Sequence, residues 1–521
     1  MATEDAKTIL FKVRRFSPER NEKTVSEFKV PVKKGTTLLD AFMFIKDNLD
    51  ETFAFRHSCR MGVCGSCGVM VNGKPVLACY TQVLHLNASI LDIAPLQGLP
   101  VIKDLIVDIE PFFEKYKRIE NVLIKQEERL KKPEELSQTP TDLKKFWDLT
   151  MCIKCSICYS SCPAILDERF LGPSTLTTNY RFIADSRDQG SERRLQPMAD
   201  NLWLCTSCNS CTLFCPKEVN CSESIVSERG LIVETGVIPR TAIEILSSTM
   251  KFHNPLGRNQ VRRGDWAKEL KIRSFPTTTQ ADVLYFVGCL ASYDPRNQEI
   301  SRALVSTFNR MNVDFFTLGA EEWCCGDHIL RLGEKGLFEE LAEHNLSVLK
   351  KADFKKIVTL SPHCFDAFKN SSPYLEAGIK AQHYTQVVAE ALQKGRMKLT
   401  KPISKKTTYH DPCFLGKRNG IYDAPREILN SIPELELVEM ERVRENSFCC
   451  GGGAGRVWTE DSAPEMRPSV SRVQEALEAN AEIIATACPF CVSTLEDAVK
   501  VLDAENRIAV RDIAELLLEA M

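Results

Sequence analysis

Residues 55–79 read FRHSCRMGVCGSCGVMVNGKPVLAC, and this stretch decides how the rest of the chain is interpreted. Cys59, Cys64 and Cys67 are spaced C-x4-C-x2-C, and Cys79 follows after eleven further residues, which is the plant-type spacing of a [2Fe–2S] site. The glycines and serine of the loop let the backbone wrap tightly and leave amides free to point at sulfur. A zinc site would instead favour paired C-x2-C units. The stretch therefore predicts a [2Fe–2S] centre with four thiolate ligands.

The composition of the chain excludes several classes of protein. It has 521 residues, a net charge of -3 and 22 cysteines, so it carries no overall basic field that would attract nucleic acid. The longest apolar run, at residues 281–291, is far shorter than the roughly 18 residues that span a bilayer. The first ten residues lack the pattern of a secretory signal. Clustered cysteines in a large chain without such a signal favour metal binding over disulfides, and we expect a cytoplasmic protein.

Local patterns around the first motif predict a small domain of strands and one helix. Residues 7–15 and 26–32 alternate apolar and polar side chains, and residues 37–48 carry apolar side chains at helical spacing. Asn72-Gly73 then predicts a hairpin between residues 68–71 and 75–79.

A second cysteine block carries the run C-x2-C-x2-C-x3-C-P twice, ending at Cys162-Pro163 and at Cys215-Pro216. In two-cluster ferredoxins the fourth cysteine of each run ligates the other cluster. The spacing therefore predicts two [4Fe–4S] clusters in a helical domain. The first has the ligands Cys152, Cys155, Cys158 and Cys215, and the second has Cys205, Cys208, Cys211 and Cys162. Cys221 lies outside both runs, and we interpret it as a small buried thiol.

The third cysteine block is duplicated. The four cysteines Cys289, Cys324, Cys325 and Cys364 recur 124 or 125 residues later as Cys413, Cys449, Cys450 and Cys488, which indicates two copies of one unit. Short apolar strands alternate with helices in both copies and predict an α/β fold.

The second copy is complete and the first is not. Five cysteines converge in the second copy, more than a cubane or a tetrahedral zinc ion requires, so we predict an open, non-cubane [4Fe–4S] cluster there. These predicted catalytic residues are Cys413, Cys449, Cys450, Cys488 and Cys491. In the first copy Ala367 occupies the place expected for a fifth cysteine. Two interpretations remain open: the first copy is a structural relic that packs against the second, or its four cysteines bind a cofactor with the help of His363 or His328. His410 is interpreted as a hydrogen-bonded positioning residue.

Family resemblance covers nearly all of residues 7–235. Residues 55–79, PVIKDLIVDIEPFFEKY at 100–116 and GPSTLTTNYRFIADSRD at 172–188 resemble the iron–sulfur subunit of succinate dehydrogenase and fumarate reductase. The resemblance implies a separate FAD-containing flavoprotein as partner, with this chain conducting electrons. Two departures stand out: Cys208 is usually not cysteine in that family, where the cluster is [3Fe–4S], and no tryptophan follows Cys162-Pro163, where the family places its quinone site. These departures favour a complete cubane and speak against quinone binding at that place.

The duplicated block resembles the CCG domain of heterodisulfide reductase catalytic subunits, which hold non-cubane clusters that handle a thiol–disulfide couple. The complete order of motifs resembles the iron–sulfur subunits of the methanogen thiol:fumarate reductase family. That resemblance implies oxidation of coenzyme M and coenzyme B thiols to their heterodisulfide, with electrons passing to fumarate. Two alternatives remain. The chain is a succinate dehydrogenase-type subunit whose CCG part serves a quinone or another carrier, or it is a non-catalytic adaptor that only transfers electrons between partner proteins.

The predicted fold class is a multidomain α+β chain. A β-grasp [2Fe–2S] ferredoxin domain is expected at residues 1–100 and a helical two-cluster ferredoxin domain at 101–240. A basic linker follows at 241–279, then a degenerate first CCG unit at 280–400 and a complete second CCG unit at 401–521.

Overall fold

The structure is a computed structural model that describes residues 7–125, 135–236, 238–270, 272–458 and 466–521. It forms two compact units. The first comprises residues 1–202 and 209–228, and the second comprises residues 203–208 and 229–521. Each unit is built around its own cysteine-bearing loops.

The first unit opens with a five-stranded mixed sheet of order β2-β1-β5-β3-β4. Its strands are β1 Lys7–Ser17, β2 Glu22–Val32, β3 Gly68–Val71, β4 Lys74–Leu77 and β5 Ile90–Ala94. Helix α1, Leu38–Asn48, packs its apolar face against this sheet, and Thr37 caps its N-terminus with a reciprocal bond to Asp40. The predicted strands, helix and hairpin are confirmed, as is the β-grasp ferredoxin class.

The remainder of the first unit is helical, as predicted. The small antiparallel pair β6 Val101–Lys103 and β7 Ile106–Val107 leads into short helices. These are α2 Glu110–Tyr116, α3 Pro140–Lys144, α4 Ile157–Ser160, α5 Pro173–Ile183, α6 Ser191–Leu195, α7 Ala199–Leu202, α8 Ser210–Leu213 and the first half of α9 Cys221–Thr235. Short helices separated by loops leave many backbone amides free of helical bonds, which suits loops that surround clusters.

The second unit contains two parallel four-stranded sheets with the same topology. The first has the order β11-β10-β8-β9 and the second β13-β12-β14-β15, so the order of one copy is that of the other read from the opposite edge. The strands are β8 Gln280–Phe286, β9 Phe315–Phe316, β10 Asp353–Thr359, β11 Ala381–His383, β12 Lys406–Tyr409, β13 Glu436–Leu437, β14 Ile483–Thr486 and β15 Ala509–Asp512. The predicted duplication and its α/β class are confirmed.

Helices cover both sheets, and buried residues from the two copies form one continuous apolar core. The helices of the first copy are α11 Cys289–Tyr293, α12 Pro295–Arg310, α13 Asp327–Arg331, α14 Lys335–Leu349, α15 Pro362–Asn370 and α16 Tyr384–Gln393. Those of the second copy are α17 Asp423–Asn430, α18 Pro468–Glu478, α19 Pro489–Val501 and α20 Ile513–Ala520. A shared core makes the two copies one folding unit rather than two independent domains.

Residues 241–279, predicted to be a linker, contain regular structure. Helix α10, Arg240–Phe252, buries Ala242, Ile245 and Leu246. A 3-10 segment, Gln260–Leu270, places Trp266 in the apolar core and Arg263 in a buried ion pair with Glu322. The basic composition of this stretch conceals these two buried contacts.

Candidate functional site

The first cysteine loop presents backbone amides to sulfur. The amides of Met61, Val63 and Cys64 lie 3.3–3.5 Å from the Sγ atom of Cys59. The amide of Gly62 lies 3.2 Å from the Sγ atom of Cys79. Such N–H groups stabilise negative charge on sulfur, so the loop is built for thiolates.

The pKa values of two thiols in this loop move in opposite directions. The amides of Met61, Cys64 and Val63 lower the pKa of Cys59 to about 6. Burial is the main cause that raises the pKa of Cys67 to about 12. Cys64 is exposed at the surface. A buried thiol of raised pKa is deprotonated only when a metal binds it, so Cys67 fits a ligand role better than a reactive one.

Gly65 brings this loop against the second cysteine block within the first unit. Its φ is +74°, and an added Cβ would lie 2.8 Å from the Cβ atom of Cys155 and 2.9 Å from its Cα atom. Glycine is therefore required here both by backbone conformation and by contact. Backbone of the first loop thus touches a predicted [4Fe–4S] ligand.

The first predicted [4Fe–4S] ligand set converges. Cys152, Cys155, Cys158 and Cys215 line one cavity in the first unit. Cys215 comes from the second run, as the exchange of fourth cysteines predicts. Four thiols that line one cavity are the ligand set that a [4Fe–4S] cluster requires.

Cys221 lines the same cavity, a location that the sequence motifs did not reveal. Its thiol makes hydrogen bonds with those of Cys158 and Cys211. Cys221 is the first residue of helix α9, six residues after Cys215. The only signal in the sequence was its closeness to the second Cys-Pro pair.

The second predicted [4Fe–4S] set is divided between the two compact units. Cys162 and Cys211 belong to the first unit, and Cys205 and Cys208 belong to the second. All four are buried. Within the second unit, the side chain of Cys208 makes a hydrogen bond with Cys449, and Thr206 Oγ1 lies 3.7 Å from the Sγ atom of Cys449. The 203–208 segment therefore contacts the CCG cysteines directly.

Two glycines that follow Cys450, Gly452 and Gly453, lie too close to other atoms for a side chain to fit. An added Cβ at Gly453 would lie 2.4 Å from the carbonyl oxygen of Thr206, and one at Gly452 would lie 2.8 Å from a methyl group of Thr494. Gly453 thus permits a close approach to the backbone of the 203–208 segment, and Gly452 permits a close approach to helix α19.

The second CCG copy brings all five of its cysteines together. The Sγ atoms of Cys413 and Cys449 lie 4.0 Å apart and those of Cys450 and Cys491 lie 3.4 Å apart, while Cys488 makes a hydrogen bond with Cys491. All five are buried. Cys413 follows strand β12, and Cys449 and Cys450 lie in a loop. Cys488 and Cys491 lie at the start of helix α19.

His410 directs an unpartnered nitrogen toward this set. Its Nδ1 atom accepts a hydrogen bond of 3.2 Å from Arg472 Nε, which leaves the proton on Nε2. A ring nitrogen lies within 4.8 Å of the sulfurs of Cys450 and Cys491, and the buried Nε2 atom has no partner among the described residues. Burial, then repulsion from Arg472, lowers the pKa of His410 to about 3. His410 is therefore a neutral N–H donor that fits a sulfide or thiolate acceptor.

The first CCG copy also gathers its thiols. Hydrogen bonds link Cys289 to Cys324, Cys324 to Cys325 and Cys325 to Cys364. Arg263 lies 3.7–3.8 Å from the Sγ atom of Cys289 and 2.6 Å from Glu322 Oε1. Glu322 in turn accepts bonds from the amides of residues 287 and 288. This buried ion pair fixes the loop that carries Cys289, and the sequence did not reveal it.

The repeat register differs from the prediction at the end of each copy. Ser361 is the N-cap residue of helix α15 and is followed by Pro362. Cys488 is likewise the N-cap residue of helix α19 and is followed by Pro489. Ser361 is therefore the equivalent of Cys488, and Cys364 is the equivalent of Cys491. The fifth cysteine is replaced by Ser361, and the assignment of its position to Ala367 is wrong. A constant spacing of 124 residues between the copies pairs Cys364 with Cys488. The helix starts show instead that the spacing is 127 residues at this point.

The ring of His363 lies against side chains of the second copy. Its Nδ1 atom lies 2.7 Å from Asp327 Oδ2, and its ring lies edge-on to that of Phe490 in the second copy, with the ring centroids 4.9 Å apart. Burial alone would lower its pKa, but Asp327 and Cys488 raise the pKa of His363 to about 10. Burial likewise opposes the change at Cys488, whose pKa is lowered to about 5 by hydrogen bonds with Cys491 and His363.

Comparisons with known proteins agree with this architecture. Residues 10–114 match the 2Fe-2S iron-sulfur cluster binding domain, residues 148–219 match the 4Fe-4S dicluster domain, and residues 283–369 and 407–496 match the cysteine-rich CCG domain. The chain is 31% identical to a subunit of the CoM/CoB fumarate reductase of Methanothermobacter marburgensis, over 97% of this chain and 98% of that protein. The chain belongs to the family of this reductase subunit. That relative is named as a subunit of a reductase, and the domains that match in this chain are iron–sulfur and cysteine-rich domains.

Two further relatives share only part of the architecture. A subunit of the dihydromethanophenazine:CoB–CoM heterodisulfide reductase of Methanosarcina barkeri is 32% identical over 72% of this chain and 94% of its own length. The EtfAB:quinone oxidoreductase of Syntrophomonas wolfei is 32% identical over 73% of this chain. The chain spans 59% of that longer relative. Among the helices that the structure describes, none is long and apolar enough to cross a membrane.

Proposed function

We propose that this chain is the iron–sulfur subunit of a thiol-dependent fumarate reductase. Two thiols, coenzyme M and coenzyme B, would lose two electrons and two protons and form one S–S bond. Fumarate would take up two electrons and two protons on the flavoprotein partner and become succinate. The observation that carries the proposal is the convergence of five thiols in the second CCG copy, in a chain related over almost its whole length to a CoM/CoB fumarate reductase subunit.

The proposed reaction requires a chain of iron–sulfur clusters, and the cysteine motifs support the following assignment. We assign one [2Fe–2S] to Cys59, Cys64, Cys67 and Cys79, and one [4Fe–4S] each to the two ferredoxin sets named above. We assign one non-cubane [4Fe–4S] to the second CCG copy. A cluster bound there supplies iron that can hold an incoming thiolate and accept its electrons.

The side chains around the second CCG copy prepare it for this chemistry. His410 presents its Nε2–H to the sulfur-rich side of the site because Arg472 occupies Nδ1. Hydrogen bonding with His363 of the first copy helps to lower the pKa of Cys488. Burial of all five cysteines excludes water from the thiols. Within the second unit Cys208 interacts with Cys449, and within the first unit Gly65 lies against Cys155.

The flavoprotein partner is proposed to bind near the [2Fe–2S] loop. Cys64 is exposed, and the large side chains of Met61, Val63 and Tyr80 beside it are 55–69% exposed. A contiguous apolar surface next to a redox loop is typical of a docking site. We place the complex in the cytoplasm, where reduced thiols are maintained.

The test uses the complex with its flavoprotein and compares two electron donors. Cys450→Ala should abolish thiol-dependent fumarate reduction and spare reduction driven by viologen, because the ferredoxin sets and the flavoprotein remain intact. Cys325→Ala, the equivalent substitution in the first copy, should have a smaller effect. The wild-type chain should carry about 14 irons, the sum for the cluster types assigned.

Three outcomes would contradict the proposal. Full thiol-dependent activity in Cys450→Ala would remove the thiol function. Quinol-driven activity that survives this substitution would favour the quinone function, which the name of the Syntrophomonas relative suggests for that protein. No thiol oxidation by the loaded wild-type complex would favour an electron-wiring adaptor.

A further inference from the structure

The two CCG copies differ at one helical turn in a complementary way. The second copy carries Cys488 and Phe490 there, and the first carries Ser361 and His363 at the equivalent positions. The first copy therefore has no thiol where the second has one. It has instead a hydrogen-bonding ring where the second has an apolar one.

The ring of His363 is directed at the other copy. It is 4% exposed and contacts the rings of Phe414 and Phe490, with centroid distances of 3.9 and 4.9 Å. One nitrogen is held by Asp327 at 2.7 Å. The ring contacts Phe490, which lies two residues after Cys488, and hydrogen bonding with Cys488 is one of the causes that raise the pKa of His363. Asp327 follows the pair Cys324-Cys325 after one glycine, so the first copy's own cysteine loop positions the carboxylate.

We propose that His363, oriented by Asp327, is a positioning residue for the second copy: it donates an N–H bond to Cys488 and raises the reduction potential of the cluster bound there. This inference rests on the proposed function, because it requires a cluster in the second copy. A reduced cluster carries more negative charge than an oxidised one, so an N–H donor on a ligating sulfur favours the reduced form. A carboxylate that holds the far nitrogen fixes the orientation of the ring.

The experiment measures the midpoint potential of the second-copy cluster in the intact complex by EPR-monitored titration, together with the iron content. His363→Phe copies Phe490 and removes the donor, and we expect a shift to more negative potential at unchanged iron content. His363→Gln keeps an N–H near the position of Nε2 and should recover most of the shift. His344→Phe is the matched control, because His344 in the same copy stacks on Trp323 and bonds to the carbonyl of Glu321.

An unchanged potential in His363→Phe with full iron content would overturn the inference. If that variant loses iron, Asp327→Asn carries the test, since it keeps the shape of the side chain and weakens its hold on the ring. A smaller shift in the same direction supports the inference, and no shift overturns it. A wild-type complex without any second-copy signal would instead contradict the proposed function.

Discussion

The side chain of Cys208 makes a hydrogen bond with that of Cys449. One belongs to the second ferredoxin run and the other to the adjacent cysteine pair of the second CCG copy. The bond helps to lower the pKa of Cys449, against the effect of burial. A predicted cubane ligand is thus in contact with the proposed entry point of the electrons.

Cys208→Ser should convert its cubane toward a three-iron cluster, because Cys205, Cys211 and Cys162 would still coordinate. We expect a [3Fe–4S] EPR signal under strict anoxia and the loss of about one iron per chain. Cys221→Ser is the matched control, since Cys221 is not assigned as a ligand, and its iron content should equal that of the wild type. A three-iron signal already present in anoxic wild-type protein would contradict the assignment of Cys208.

Gly65→Ala should separate the [2Fe–2S] loop from Cys155. The added methyl group would overlap atoms 2.8–2.9 Å away in a backbone conformation that disfavours side chains, at a cost of roughly 2–4 kcal/mol. We expect a lower thermal midpoint and slower reduction of the [2Fe–2S] centre in stopped-flow spectroscopy. Gly35→Ala is the control that separates backbone strain from overlap with Cys155. Gly35 has a φ of +89°, and an added Cβ there would have nothing within 4 Å. Equal losses in both variants would show that contact with Cys155 is unimportant.

Gly453→Ala should disturb the contact between the glycine run and the 203–208 segment. The new Cβ would lie 2.4 Å from the carbonyl oxygen of Thr206, so one of the two backbones must move. Thiol-dependent activity should fall by at least tenfold while viologen-dependent activity stays near the wild-type value. Gly264→Ala, where an added Cβ meets nothing within 4 Å, should leave both activities unchanged. Wild-type thiol-dependent kinetics in Gly453→Ala would refute the requirement for close approach.

Glu228 should make stability depend on pH. Burial raises its pKa from 4.5 to about 8, against a hydrogen bond from Asn179. The folded state then binds more protons than the unfolded state between these values, so this carboxyl lowers stability as pH rises through the window, by roughly 1.4 kcal/mol per pH unit. Glu228→Gln should therefore have a higher thermal midpoint than wild type at pH 8 and a smaller advantage at pH 6. Glu234→Gln, on the exposed end of the same helix, should show no such trend. A difference in thermal midpoint between Glu228→Gln and wild type that is the same at both pH values would disprove the burial effect.

The ligand loops and the order of domains could be predicted from the sequence because their information is local. A cluster loop places its thiolates within a few residues, so the spacing around Cys59 or Cys152 carries the chemistry directly. The short strands of the CCG copies are apolar runs that precede helices, and they occur where periodicity predicts them.

The features that could not be predicted from the sequence depend on contacts between residues far apart in the chain. Ser361 could be matched to Cys488 only once the starts of helices α15 and α19 were known, since a small difference in loop length shifts any constant offset. The contact of His363 with Cys488 joins residues 125 positions apart in the chain. The buried pair of Arg263 and Glu322 lay in a stretch whose overall basic composition suggests solvent exposure.

The replacement of Cys488 by Ser361 in the first copy amounts to one oxygen atom in place of one sulfur. The surrounding helix start, proline and following cysteine are retained. A single codon change could therefore add or delete a complete five-thiol set without altering the fold. In a duplicated scaffold of this kind, the number of redox centres can vary between descendants faster than the architecture that houses them.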